Sequence, residues 1–281
     1  MPPSPPPDPG TLRQLARLAA NTADEVNRVR LALQEAVGRA FDALAGLNAD
    51  ALGAYLGATM PLVQAAAEQV AVIIEAQMAT ALELSGYPAA ADALTLADVS
   101  ALRGDDLDAF RVRSRPVTFL RVQVANGVDY AQAFALARSR AVAQASMDAI
   151  LAQRAAMAHH VAEARAEGVP VHGTRRVLSG ASCRFCAVAS TQRYHVAELM
   201  PLHHHCDCGV APIIGGFDPG RVINAELLAK LKEQGGKYWQ KRGFVDSAGE
   251  PMDPEKFVRD HRVRTENHGE HGATIAGMLE P

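Results

Sequence analysis

The sequence predicts a mainly α protein, with a long helical amino-terminal region followed by a small α+β module knotted by a Cys/His metal site. Three observations carry that expectation. Alanine is abundant and aromatic residues are only 5% of the 281-residue chain, a composition that favours helix. Apolar residues recur at three-to-four spacing over long stretches before residue 168. All four cysteines, Cys183, Cys186, Cys206 and Cys208, fall in one stretch that also holds His203, His204 and His205.

A chain of this length can bury a real core and hold one large domain or two ordinary ones. The expected division is a flexible Pro-rich arm over 1–10, a helical domain over 11–168, a Cys/His metal-binding module with short strands over 169–216, and a C-terminal helix and tail over 217–281. The net charge of −3 and a pI near 6.4 argue against a tight, sequence-independent grip on nucleic acid by the chain as a whole. Local basic patches are compatible with both values. The opening MPPSPPPDPG has neither the basic nor the apolar region of a secretory signal. Glu68 and Glu75 interrupt the most apolar stretch, Leu62 to Leu84, so no membrane span and no membrane partner are expected. A protein made in a cytoplasm keeps its thiols reduced, which favours metal ligation over disulfides for two close cysteine pairs.

Taken in order, Leu15, Leu18, Val26, Val29, Leu33, Val37 and Leu44 define an amphipathic helix from Thr11 to about Leu47. A second helical region starts near Asn48, with Thr59 as a cap and Pro61 in the first turn of a new segment, and stops at Ser85-Gly86. Tyr87 to Asp106 reads as irregular. Ser114-Arg115-Pro116 reads as the entry to a third helix that ends at Asn126-Gly127. Asp129 caps the last long helix, Tyr130 to about Glu167, whose apolar face includes Phe134, Ala141, Ile150, Leu151, Met157 and Val161. Val169 to Leu178 and Gly209 to Ile214 are expected to pair as strands bracketing the cysteine stretch. A short helix, Ala225 to Gln234, and a late strand and turn in VRTENHGEHG complete the reading.

The chemistry lies in the spacing Cys183-x2-Cys186, then His203-x2-Cys206-x-Cys208. Two residues between ligands let a tight turn aim both at one ion, and thiolates with an imidazole at a tetrahedral centre favour zinc. Cys183, Cys186 and His203 are the firmest ligands; Cys206 is preferred to Cys208 for the fourth place, although either could serve. A redox role for the first pair lacks the βαβ context such a motif requires. Four protein ligands saturate the ion, and the nearby acids Glu198 and Asp207 stand in no recognisable catalytic pattern, so a structural zinc is expected. Its binding would contribute on the order of ~10 kcal/mol to ordering the loop. His195, His204 and His205 read as exposed residues or outer partners of the ligands.

The run RVLSG-x-x-C-x-x-C-x-x-A-S-T-Q-R-Y, followed by L-M-P-x-H-x-x-C-D-C and a short hydrophobic strand, closely resembles the head-morphogenesis proteins related to phage Mu protein F, in the version carried by tailed phages of actinobacteria. Arg115-Pro116 and His268-Gly269-Glu270 also look like that group. The specific likeness covers Arg175 to Ile214. Where those proteins usually have Pro-Gly or Pro-Asn after the histidine, this chain has His204-His205, which supports His203 as the matching ligand.

The resemblance implies a minor head protein of a double-stranded DNA phage, made in the host cytoplasm and carried in the virion head at the portal or the inner capsid face. Its implied partners are the portal protein, the major capsid or scaffold protein and packaged DNA. Such proteins are often labelled capsid maturation proteases, which is an alternative reading. Ser179, Ser182 and Ser190 stand in no Ser-His-Asp or Ser-Lys order, so an enzyme is not the expectation. A further alternative is a DNA-binding zinc module in which Arg175, Arg176, Arg184 and Arg193 meet phosphates.

Overall fold

The computed structural model describes residues 8–88, 108–178, 189–190, 193–194 and 208–220, together with the strand backbones of 262–268 and 272–279. Four helices build the body: α1 (Pro9–Asp42), α2 (Ala49–Leu84), α3 (Ala109–Ala125) and α4 (Tyr130–Ala166). The strands are β1 (Val171–Val177), β2 (Arg193–Tyr194), β3 (Gly209–Ile214), β4 (Arg262–His268) and β5 (Gly272–Leu279). The mainly helical expectation is met, and the helices precede a small sheet as the sequence suggested.

Local chemistry sets the helix ends. Asp8, Asn48, Asp108 and Asp129 are N-caps whose side chains accept from the backbone N–H three residues on, at 2.8, 2.8, 2.6 and 3.1 Å. Gly86, Gly127 and Gly168, all with φ above +80°, end α2, α3 and α4. Each donates to the carbonyl three residues back, and the next residue donates to the carbonyl five back: Tyr87 to Leu82, Val128 to Gln123 and Val169 to Ala164. That pair of bonds is the Schellman termination, and it requires a left-handed residue where glycine stands.

Three boundaries differ from expectation, each for a physical reason. Helix α1 begins at Pro9, inside the predicted arm, because Asp8 caps it and proline suits a first turn that needs no N–H. Helix α2 does not restart at Pro61. Thr59 is fully buried and its hydroxyl donates to the Tyr55 carbonyl at 2.8 Å, so it is an interior residue and not a cap. Pro61 leaves the Gly57 carbonyl without its helical donor, and both residues are exposed, where water can satisfy it. Helix α3 starts at Ala109 and contains Pro116; the orphaned Val112 carbonyl accepts instead from Gln144 Nε2 of α4 at 2.7 Å, in the interior.

Helices α1, α2 and α4 pack on one another, and α3 lies against α2 and α4. Their shared core holds Phe41, Tyr55, Ile74, Leu82, Leu120, Met147 and Met157. Phe41 meets Tyr55 edge-on, with ring centroids 5.5 Å apart, and lies 5.1 Å from Phe134. Glu68 and Glu75 do not shorten α2, which is long and apolar enough by length and composition to cross a membrane. Its Val63, Val70, Ile74 and Met78 are buried in the bundle, so part of that apolarity builds the core, while Leu62 and Val72 are exposed. Between helices, the buried Arg113 of α3 contacts Asp148 of α4, and burial pushes the neighbouring Tyr55 hydroxyl up to about 12. At the rim, Arg138 of α4 grips Asp42 of α1 through two hydrogen bonds of 2.7 and 2.9 Å.

Strands β1 and β3 pair antiparallel as expected, and β2 adds to the other edge of β1. Gly173, with φ of 142°, stands where the register slips beside Val171, a backbone shape that favours glycine. The sheet docks on the helices: Gln77 of α2 donates to the Val210 carbonyl at 3.2 Å, and Arg165 of α4 to the Val171 carbonyl at 2.9 Å. Strands β4 and β5 form a separate antiparallel pair. The first covers the predicted late strand; the second was not anticipated. The expected irregular segment after Tyr87 and the expected helix from Ala225 to Gln234 fall, beyond Pro88, outside the described residues.

Candidate functional site

The β1/β3 ladder sets Val177 opposite Gly209, which brings the two ends of the Cys/His stretch side by side. Between those ends, Arg193 and Tyr194 return to pair with Arg175 and Thr174. The stretch is therefore pinned at its start, its middle and its end to one short sheet.

Arg175 and Arg176 are adjacent on β1, so their side chains leave on opposite faces of the sheet. Both are nevertheless buried, at 7% and 1% exposure, which means both faces are covered. On one face Arg175 makes a fork to Asp218, with Nε to Oδ1 at 3.0 Å and Nη2 to Oδ2 at 2.5 Å. Its Nη1 donates to the Ser190 carbonyl at 2.9 Å, and Arg193 Nε adds a bond to Asp218 at 3.1 Å. Burial alone would push Asp218 up; the hydrogen bonds and charge of Arg175, joined by those of Arg193, outweigh it and hold the carboxyl below the usual carboxylate range. Gly220 closes over this fork: a Cβ there would lie 2.0 Å from Arg175 Cγ, so the position tolerates no side chain without movement.

On the other face Arg176 Nη1 lies 3.0 Å from Cys208 Sγ, and Arg154 Nη2 of α4 approaches the same sulfur at 3.7 Å. The Arg176 guanidinium also sits 5.4 Å from the centre of the Tyr194 ring, whose hydroxyl donates to the Ala189 carbonyl at 2.7 Å. Cys208 is buried at 1% exposure, between the sheet and α4. Of the five predicted metal ligands, Cys208 alone lies among the described residues; Cys183, Cys186, His203 and Cys206 fall outside them.

Two of the four arginines expected to face nucleic acid are buried. Arg175 and Arg176 point into the module and hold it together, since a buried guanidinium is stable only with partners such as Asp218 or a carbonyl. Arg193 keeps a side chain 46% exposed while bonding Asp218, and Arg184 lies outside the described residues. Ser190 is fully buried, which removes its hydroxyl from solvent; Ser179, Ser182, His195 and Glu198 are outside the described set.

Two residues of the module, Asp218 and Arg154, were not singled out from the sequence. Asp218 follows Gly215-Gly216-Phe217 with no motif to mark it. Arg154 did carry a signal: it lies four residues after Ile150 and three before Met157, on the apolar stripe of α4, where an unpaired charge would be costly. Gln144, Asp148 and His160 are buried on the same helix.

No family model, curated protein or solved structure matches the chain.

Proposed function

We propose that this chain is a minor head protein of a tailed double-stranded DNA phage, acting at the portal or inner capsid in head assembly or in DNA packaging and ejection. The observation that carries the reading is the Cys/His stretch from Arg175 to Ile214, with its resemblance to the Mu protein F group. The helical body is the part that docks on portal or capsid subunits, and the Cys/His module is tied by zinc.

In this reading Cys183, Cys186, His203 and Cys206 hold the ion. The donors suit zinc, and the paired strands that bring residues 177 and 209 together give a loop that a single ion can close. Cys208 is less suited to the fourth place: two guanidinium groups already approach its sulfur, and a dication there would add a third positive centre to the same atom. Zinc would supply a fixed tetrahedral crosslink and no reacting group. Arg175 and Asp218 brace the sheet from the face opposite Arg176 and Cys208.

The test is purification from infected cells without chelator. Portal and major capsid proteins are expected to co-purify with the chain, which should carry about one zinc tightly bound by its cysteine stretch. A chain found in neither procapsids nor virions would overturn the head-protein reading; a head-associated chain without metal would remove the zinc but keep the location.

A further inference from the structure

Helix α4 carries a second set of metal-type donors, remote in sequence from the cysteine stretch. The ligand atoms of His159, His160 and Glu163 all lie within 4.8 Å of one another. Neighbouring residues on a helix diverge by about 100°, so adjacent histidines do not normally aim at one point. These two converge because Glu163 stands one turn on, four residues after one and three after the other. Its carboxylate is divided between them: His159 Nε2 lies 2.9 Å from Oε1, and His160 Nδ1 lies 3.1 Å from Oε2. The two rings meet edge to face with centroids 5.3 Å apart.

The cluster has a wall in the protein and a side open to water. The side chain of His160 is 3% exposed, that of Glu163 24% and that of His159 39%. His160 Nε2 is buried with no hydrogen-bond partner among the described residues. Two imidazole nitrogens and one carboxylate oxygen are the donor set of zinc sites that keep a coordination position for water.

We propose that His159, His160 and Glu163 bind a divalent transition-metal ion, zinc by donor type, with water completing the coordination on the exposed side. Each imidazole coordinates through the nitrogen that now faces Glu163, and its ring proton resides on the other nitrogen. Metal–donor distances of about 2.0–2.2 Å require the present nitrogen–oxygen separations to widen by a few tenths of an ångström. The half-exposed His159 can make that adjustment by a small change of rotamer.

Cobalt titration of the full chain under reducing conditions tests the site independently of the cysteines, because thiolate-bound cobalt shows strong near-ultraviolet charge transfer and this donor set does not. The expected result is an equivalent of cobalt that adds visible ligand-field bands without charge transfer. H159Q and E163Q alter partly exposed side chains, and their folding is checked by circular dichroism. Each should lose that equivalent, whereas H172Q, on an exposed histidine of β1, should retain it. Wild-type protein that binds no more metal than E163Q overturns the proposal. So does a sulfur-free equivalent that survives both H159Q and E163Q.

Discussion

Gln144 Nε2 lies 2.7 Å from the Val112 carbonyl, the acceptor that Pro116 leaves without a donor inside α3. A proline within a buried helix costs a hydrogen bond, and here the next helix supplies the replacement. Gln144→Leu should therefore destabilise the protein by about 1–3 kcal/mol, the penalty of an unsatisfied buried acceptor. Adding Pro116→Ala restores an N–H in the right place and should recover part of the loss. Urea denaturation of the two single variants and the double variant measures the coupling. Strictly additive effects would show that Gln144 does not compensate for the proline.

Asp218 is bonded by Arg175 and Arg193 with its side chain fully buried, so Asp218→Asn leaves a guanidinium in the interior facing an amide. Breaking a buried pair by removing one partner typically costs about 3–5 kcal/mol. Arg193→Gln, at a half-exposed position, should cost at most about 1 kcal/mol. The ordering of the two variants in thermal melts checks the assignment, and equal losses would refute it.

The same carboxylate makes a pH prediction. Its folded pKa lies below the ordinary value of 3.8, so the unfolded chain binds the proton more readily. Its contribution is fully present above the unfolded pKa and is lost as pH falls through about 3.8 toward the lower folded value. Melting curves between pH 6 and about pH 3 should show wild type losing more stability than Asp218→Asn. Parallel curves would assign the acid sensitivity to other carboxylates.

Much of the helical frame was legible because its signals are local. Asn48, Asp129, Gly86, Gly127 and Gly168 each specify a cap or a termination through atoms a few residues away. Pro61 and Pro116 misled for the same reason: local preference says break, while an exposed Gly57 and the distant Gln144 decide otherwise. The β1/β3 pairing was legible from two β-rich runs flanking the cysteines. The burial of Arg175 and Arg176 was not, because it depends on Asp218 and on Arg154, Cys208 and Tyr194, brought in from α4 and the far end of the loop. The HHVAE run of α4 does contain the spacing that joins His159, His160 and Glu163, but only a helix that turns all three toward one point makes it a cluster.

Gly209 begins β3 against α1, where a Cβ would stand 2.8 Å from the Ala23 Cβ. Gly209→Ala should push the sheet off the helix at a cost of about 1–3 kcal/mol, the range for overpacking a core. Ala23→Gly removes the opposing methyl and should relieve that clash, less its own helix penalty of about 1 kcal/mol. A double variant no more stable than the sum of the singles would show that the close approach does not set the cost. The readout is the melting temperature of each variant.

Cys208 and Cys206 stand two residues apart, yet the proposed zinc knot gives them different work. Arg176 and Arg154 approach the Cys208 sulfur at 3.0 and 3.7 Å, so Cys208→Ser removes a large, polarisable acceptor from a buried basic pocket. Its expected effect is on stability, by about 1–2 kcal/mol, with metal content unchanged. Cys206→Ser removes a ligand, and the bound zinc should fall by about one equivalent together with loss of the near-ultraviolet charge transfer in the cobalt form. Elemental analysis after dialysis distinguishes them directly. If Cys208→Ser loses the metal and Cys206→Ser keeps it, the fourth ligand is Cys208, and the two arginines then neutralise a zinc-bound thiolate.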